Sequence, residues 1–494
     1  MERLSKFFIR RKLNGIIALG ILTLVLIAIF AANLDSSQFT NTLNWLCIEF
    51  RGPVTIFCYF CILLCLFLVL SKYGSIRIGG SDAKTEMSAF SWLSCLFMTG
   101  CGIGIVFYCQ EPILHLHDNP YFGNVNGDAV SVAYSLTLFN WTINAWVQYA
   151  VLGLILAYFY FNLKRDLRLS SILPVKSTPK WIKHMVDIIM ALGVIAGLTT
   201  SLGLGVSQIE KGLSYAFGID ISPYILIVCI AAVATWSVTS GVHKGIKWLS
   251  TAGMVLVILL LATVLGIGIF KLDITGFVSY IVNGTGLLFS NFVAYNDFWN
   301  GTSDAWAAAY PIFFDLWFAA WAAFVAVFVA RISKGRTIRE FILGVLWFPT
   351  LFTIIWFGIF GRIGVEYSDM IYQTMSNDVP TALFIFLEQV AGSGGFHILS
   401  ALVIIVICMF FITSSDSGSL VVATLLGKGN APSRKDRMFW ATVQCVVAVA
   451  LFWGGGLALV QSVSVIMGIL VILLMFLGSA FFIYLLMKNN KNVR

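Results

Sequence analysis

The chain has 494 residues, of which 59% are hydrophobic and only 11% charged, and its mean hydropathy is +0.91. A soluble globular domain carries about 25% charged residues, so this composition excludes a fully water-facing surface and points to a bilayer as solvent. The formal net charge of +8 is explained by an orientation signal in the loops and requires no nucleic-acid partner.

Apolar runs of about 20 residues, the length that spans a hydrocarbon core, recur along the chain. In order they fall at 14–32, 53–71, 90–109, 130–161, 185–215, 223–240, 246–270, 305–333, 340–361, 396–426, 437–458 and 461–487, which predicts about twelve helices. The first follows a charged segment, MERLSKFFIRRK, lacks an A-x-A cleavage site, and reads as a retained helix. With twelve spans and a cytoplasmic N-terminus, only Arg51, Lys211, Lys271 and Arg362 of the 31 Lys and Arg residues fall outside. Cytoplasmic loops are the ones enriched in Lys and Arg, so both termini are expected inside a plasma-type membrane. Asn283 and Asn300 are sequons on the outer side.

The second span carries Cys58, Cys61 and Cys65 at helical spacing. Buried Cys behaves as a small hydrophobe, and no accompanying His or second Cys pair makes a metal site of them. The third span holds TGCGIGI, with Gly100, Gly102 and Gly104. Each glycine costs roughly 1 kcal/mol against Ala in a helix interior, so a break is expected here. FFITSSDSGSL at 410–420 suggests a second break in the tenth span. Backbone freed inside a membrane must line a cavity or find new partners, and broken helices near the midplane point to a transporter binding site. Close packing through small residues is the alternative reading of the glycines alone.

The fourth span carries Trp141, Trp146 and Tyr149, and the eighth carries Phe314, Trp317, Phe318 and Trp321. The spacing i, i+3/i+4, i+7 places the second set on one helix face. An interfacial belt would sit at helix ends, whereas these lie well inside their helices. Facing aromatic rings form a box that suits a quaternary ammonium group. No nucleophile–base pairing is evident, and His115, His117, His184, His243 and His397 fall near predicted loops or helix ends, which argues against an enzyme. Loops are expected to be short except for 271–304 and 362–395; the latter includes DVPTALFIFLEQVAG, a candidate short helix over an entrance.

GCGIGIVFYCQEP, the Trp141…Trp146-Tyr149 set and WFAAWAAFVAVFVARISKGRTIREF at 317–341, with SLGLG at 201–205 and TSSDSGS at 413–419, resemble the betaine/choline/carnitine transporter family over about residues 50–485. The resemblance implies an all-α membrane protein of twelve helices with a leucine-transporter-type 5+5 inverted repeat. Two N-terminal helices (14–85) would precede a first repeat (88–270, helices 3–7) and a second (305–487, helices 8–12), in a single membrane domain and commonly in a homotrimer. It also implies a secondary importer of betaine, choline, carnitine or a similar compound. Trp141, Trp146, Tyr149, Trp317, Phe318 and Trp321 match the aromatic box and its neighbours, with Gly100, Gly102 and Gly104 letting substrate approach the unwound backbone. Thr413 and Ser414, with the backbone carbonyls of Met98, Cys101 and Phe410, match a Na⁺ site. No other cofactor is implied. Sodium-independent exchangers place an Arg where this chain has Gly253. Proton coupling or exchange on the same fold is the runner-up, and a sensor or channel the more distant reading.

The chain also departs from the family pattern. Where members usually read YWAWW, this chain reads FDLWF at 314–318, which places Asp315 in a membrane helix. A carboxylate there costs about 2.5–3.5 kcal/mol unless compensated. It faces either a wet vestibule or polar partner, or a cationic substrate or proton path; helix spacing sets it on the stripe of Phe318 and Ala322, beside the aromatic face. Asn140 and Asn144 give the fourth span a polar face at i, i+4.

Overall fold

The computed structural model describes residues 14–24, 36–118, 125–174, 177–239, 242–296, 304–427 and 432–491. The charged segment before Asn14, the end of the first expected span and the sequon at Asn300 lie outside the described residues. The described chain is helical throughout. It begins with α1 (Asn14–Leu24), α2 (Ser36–Glu49) and α3 (Arg51–Leu70). A group of shorter helices follows, α4 (Ala89–Gly100), α5 (Gly104–Phe107), α6 (Glu111–His117), α7 (Ala129–Trp141) and α8 (Ile143–Ala157). The middle of the chain forms α9 (Lys180–Phe217), α10 (Pro223–Thr239), α11 (Val242–Lys271) and α12 (Ile274–Asn291). The last part forms α13 (Asp304–Ala309), α14 (Pro311–Ile332), α15 (Ile338–Val365), α16 (Ser368–Met375), α17 (Val379–Leu426) and α18 (Arg434–Lys491).

Among the described residues, nine helices are long and apolar enough to cross a membrane; α18 supplies two of them, Arg434–Gly454 and Ala458–Lys488. Three shorter apolar helices, Asn14–Leu24, Ala89–Gly100 and Pro223–Ser237, stand where the other three expected spans fall. Burial separates an inner set from an outer one. The apolar window of α14 is wholly buried and that of α7–α8 is 94% buried, against 39% for α11. The inner helices α7, α8, α9 and α14 therefore form the core that holds the site, and the outer helices face the membrane.

Packing repeats between the two halves. α4 lies against α11, as α14 lies against α18; α9 lies against the second part of α18, as α17 lies against α11. Thr200 and Ser464 hydroxyls meet at 2.7 Å across α9 and α18. This is the pairing that a 5+5 arrangement requires.

Two expectations about loops are corrected. Residues 271–304 contain α12, an 18-residue helix packed on α7 and α15, and the sequon Asn283 sits within it. Residues 362–395 are largely helical too. α16 and the first part of α17 fill them, and a kink at Gly392 (φ 62°) separates 379–391, the expected short helix, from the long span that follows. Both stretches are amphipathic enough to pack on the bundle rim, so hydropathy alone passes over them.

The ARISKGRTIREF segment makes a clasp between α14 and α15. Gly335 (φ +82°) lets the turn reverse; its N–H donates to Ile78 O, and Ile78 N–H donates to Arg336 O, both at 2.9 Å. The Arg336 guanidinium lies 4.1 Å from the Trp92 ring centre, and Trp92 Nε1 donates to Ser333 Oγ at 3.0 Å. α15 starts with a capping box, Thr337 Oγ1 accepting from Glu340 N–H while the Glu340 carboxylate accepts from Thr337 N–H.

Candidate functional site

Helix 3 breaks where the glycines fall. α4 ends at Gly100, residues 101–103 form a turn, and α5 lasts four residues. Gly102 has φ +60°, a left-handed conformation that costs an L-residue about 1–2 kcal/mol. Each glycine also lies against a tryptophan ring. A Cβ on Gly100 would stand 3.0 Å from Trp146 Cζ3; on Gly102, 2.9 Å from Trp321 Cη2; on Gly104, 2.8 Å from Trp141 Cη2 and 3.0 Å from Trp317 Cη2. The three glycines thus serve both the break and the close approach of four indoles.

Those indoles do not form one box. Trp141, Trp317 and Phe318 gather with Phe314 and Tyr108: Trp141 is 5.0 Å from Phe314, 5.6 Å from Phe318 and 6.3 Å from Trp317, and Tyr108 is 5.4 Å from Phe314. Trp146 stands apart, stacked on Phe97 at 6.2 Å and edge-on to Tyr149 at 5.4 Å; Tyr149 reaches Phe318 at 6.0 Å. Trp321 turns toward α9, where a Cβ on Gly197 would meet its ring at 3.2 Å. These side chains are buried except for Tyr108, which is half-buried, and the Trp317 and Trp321 Nε1 atoms and the Tyr149 hydroxyl find no hydrogen-bond partner among the described residues. The arrangement is a packed aromatic cluster with unpartnered polar atoms at its edges.

Tyr108 and the groups below it escaped the sequence reading. The third span continues past the break through α6, so Glu111 and His115 lie inside the protein, both fully buried. Glu111 Oε2 accepts from Trp141 Nε1 at 2.6 Å, and Glu111 Oε1 accepts from Asn140 Nδ2 at 2.7 Å with His115 Nε2 at 3.0 Å. His115 lies in the last turn of α6, near a helix end as expected, but it is fully buried there rather than at the surface. A second break at Thr142 (φ −106°, ψ −113°) divides helix 4 directly after Trp141, a position without glycine or proline to signal it.

Asp315 does not join the cluster. It is buried, its carboxyl hydrogen-bonds the Cys58 thiol of α3, and Gln148 Nε2 donates to its backbone carbonyl at 3.0 Å. Asp315 does share the helix stripe of Phe318 and Ala322, as its spacing expects, but what it meets there is Cys58 of α3 and not the aromatic cluster.

The expected ion-site residues come from two elements that meet. α17 packs on α4 and α5, with Phe97 and Phe410 rings 6.5 Å apart. The tenth span is not broken at 410–420, contrary to the expectation. Its hydroxyls bond back to the helix's own carbonyls, Thr413 to Met409 O and Phe410 O at 2.9 Å each and Ser417 to Thr413 O at 2.6 Å, so these polar side chains are satisfied within the helix and need no break to find partners. Thr413 Oγ1 keeps its acceptor lone pairs, and Ser414 Oγ is buried with no partner among the described residues. Hydroxyl and carbonyl oxygens of this kind suit a hard cation. At Gly253 a Cβ would stand 2.5 Å from Met98 Cε, so a longer side chain there would displace Met98. Asp416, the carboxylate of the same stretch, is buried in an ion pair with Arg437 and accepts from Ser237 Oγ at 3.2 Å.

The family model described as "BCCT, betaine/carnitine/choline family transporter" matches residues 15–491. The chain belongs to this family. It is 35% identical over 443 residues, 83% of this chain and 77% of the relative, to a glycine betaine/proline/choline transporter of Vibrio parahaemolyticus. Likewise it is 34% identical over 428 residues, 83% and 82%, to the glycine betaine transporter OpuD of Bacillus subtilis. A structure of a Na⁺-coupled sialic acid symporter aligns over 89% of this chain and 86% of its own at 15% identity and a TM-score of 0.45. BCCT members are transporters, not enzymes, and this one is a multi-pass membrane protein.

Proposed function

We propose that this chain imports a quaternary-ammonium compound of the betaine or choline type by Na⁺-coupled symport. The reading rests chiefly on the aromatic cluster at the double break of helices 3 and 4, in a chain whose relatives are named for betaine and choline transport. Trp141, Trp317, Phe318, Phe314 and Tyr108 surround the cationic head; Tyr149, Trp146 and Trp321, with the backbone freed at Gly100, Gly102 and Gly104, line its approach. The rings pack on one another in this conformation, so cargo binds by parting them. Cation–π attraction favours a methylated ammonium that gives up its water without needing N–H partners.

Thr413 and Ser414 side chains with the Met98, Cys101 and Phe410 carbonyls would hold the Na⁺, whose gradient supplies the driving force. Because these residues sit on both α17 and the break of helix 3, ion and cargo bias the same joint. The repeats run over 88–270 and 305–487 after two N-terminal helices at 14–85, the termini are cytoplasmic, and the assembly is a homotrimer. Uptake of labelled glycine betaine and choline into proteoliposomes, with Na⁺ and proton gradients imposed separately, tests the reading. Uptake that follows the proton gradient and ignores Na⁺ replaces Na⁺ coupling with the runner-up.

A further inference from the structure

We infer that Glu111 is a specificity-determining positioning residue: it supplies a negative charge that acts through Trp141 to favour a cationic cargo over an uncharged one of the same shape. The inference rests on the proposed transport reading. Its basis is the set of donors on the Glu111 carboxylate. Trp141 Nε1–H, which can only donate, reaches Oε2 at 2.6 Å, while Asn140 Nδ2 and His115 Nε2 reach Oε1. That is the hydrogen-bonding pattern of a carboxylate anion.

His115 does not cancel the charge. Its Nε2 faces Glu111, and its Nδ1 is buried with no hydrogen-bond partner among the described residues. A neutral ring leaves Nδ1 as a bare acceptor; an imidazolium would bury an unmatched N–H there. The other titratable groups facing Glu111 are the tyrosines Tyr108 and Tyr310. Among the described residues no Lys or Arg pairs with it. The site therefore holds one net negative charge a single hydrogen bond from the ring that touches Phe314, Trp317 and Phe318.

Two effects follow. A carboxylate pulling on the indole N–H enriches the ring face in electron density, which strengthens the ring's attraction for a cation. The charge also acts directly across a buried medium where screening is weak. A zwitterion gains less, because its own carboxylate is repelled. Glu111 touches no cargo in this account, so the readout must separate charge from shape.

The test is calorimetric titration of the purified full-length protein with choline and with its uncharged carbon isostere, in which a tert-butyl group replaces trimethylammonium. Glu111→Gln keeps an acceptor and removes the charge. It is expected to weaken choline by about ten-fold and to leave the isostere unchanged. Trp141→Phe keeps a ring and removes the N–H; because phenyl is itself the weaker cation–π partner, its coupling to Glu111→Gln is the readout, and the double variant is expected to lose little more than Trp141→Phe alone. Equal losses for both ligands in Glu111→Gln overturn the inference, as do fully additive losses in the double variant. If Glu111→Gln does not fold, Glu111→Asp takes its place, keeping the charge but withdrawing it from the indole N–H: a choline-selective loss is expected, and a loss equal for both ligands overturns the inference. A wild-type protein that binds glycine betaine but no choline overturns this inference alone; one that binds neither overturns the transport reading, and this inference with it.

Discussion

Gly104 lies directly under the edge of Trp141, so close that a methyl group on its Cα would stand 2.8 Å from the ring. The same methyl would crowd Trp317 at 3.0 Å. One backbone position thus fixes the spacing of the two indoles on which cargo binding is proposed to depend.

Gly104→Ala is therefore expected to weaken cargo binding more than it lowers stability, because the rings yield before the backbone does. Gly102→Ala is expected to do the reverse in part: its φ of +60° adds a conformational cost of about 1–2 kcal/mol. Thermal melts in detergent beside binding titrations would show the contrast. A Gly104→Ala protein with native affinity would mean that Trp141 and Trp317 take no part in binding.

Trp317→Ala is expected to weaken binding more than ten-fold, in line with a desolvated cation–π contact of about 2 kcal/mol or more. Trp146→Ala is expected to do less, since Trp146 stacks on Phe97 and Gly100 rather than on the central cluster. Equilibrium titration of both variants checks the order, and an inverted order would relocate the box to the Trp146–Tyr149 side.

Replacing Thr413 and Ser414 together by Ala is expected to abolish Na⁺ stimulation of uptake while leaving the protein folded, because Ser414 Oγ has no partner to lose among the described residues. The measurement is initial uptake rate against Na⁺ concentration at fixed pH. Unchanged stimulation places the ion elsewhere.

Asp315→Asn is expected to shift KM for choline and glycine betaine equally, because the carboxyl faces Cys58 on α3 and not the aromatic cluster. A change in the ranking of the two substrates would show that its charge is felt in the site after all.

Asp416→Ala strips Arg437 of its buried partner. Loss of one member of a buried pair costs about 3–5 kcal/mol, so a marked fall in melting temperature is expected, with far less damage in an Asp416→Leu/Arg437→Met double variant. Equal melting of the single variant and the wild type would mean that the pair carries no stability.

The sequence by itself determined the spans, the break of helix 3 and the aromatic set. Apolar run length sets the first, because the bilayer has a fixed thickness. Glycine's lack of a side chain sets the second at Gly100–Gly104, and i, i+3/i+4 spacing in an unbroken helix puts Phe314, Trp317 and Phe318 on one face. Only the tertiary structure decided what those faces meet. Helical periodicity gives a residue's angle about its own axis, not the neighbour at that angle, so Asp315 turned to Cys58 and Trp321 to Gly197. A break also resets the phase. Past Gly102 no count from the start of helix 3 predicts where Tyr108, Glu111 and His115 point, and it took the folded chain to bring all three beneath Trp141.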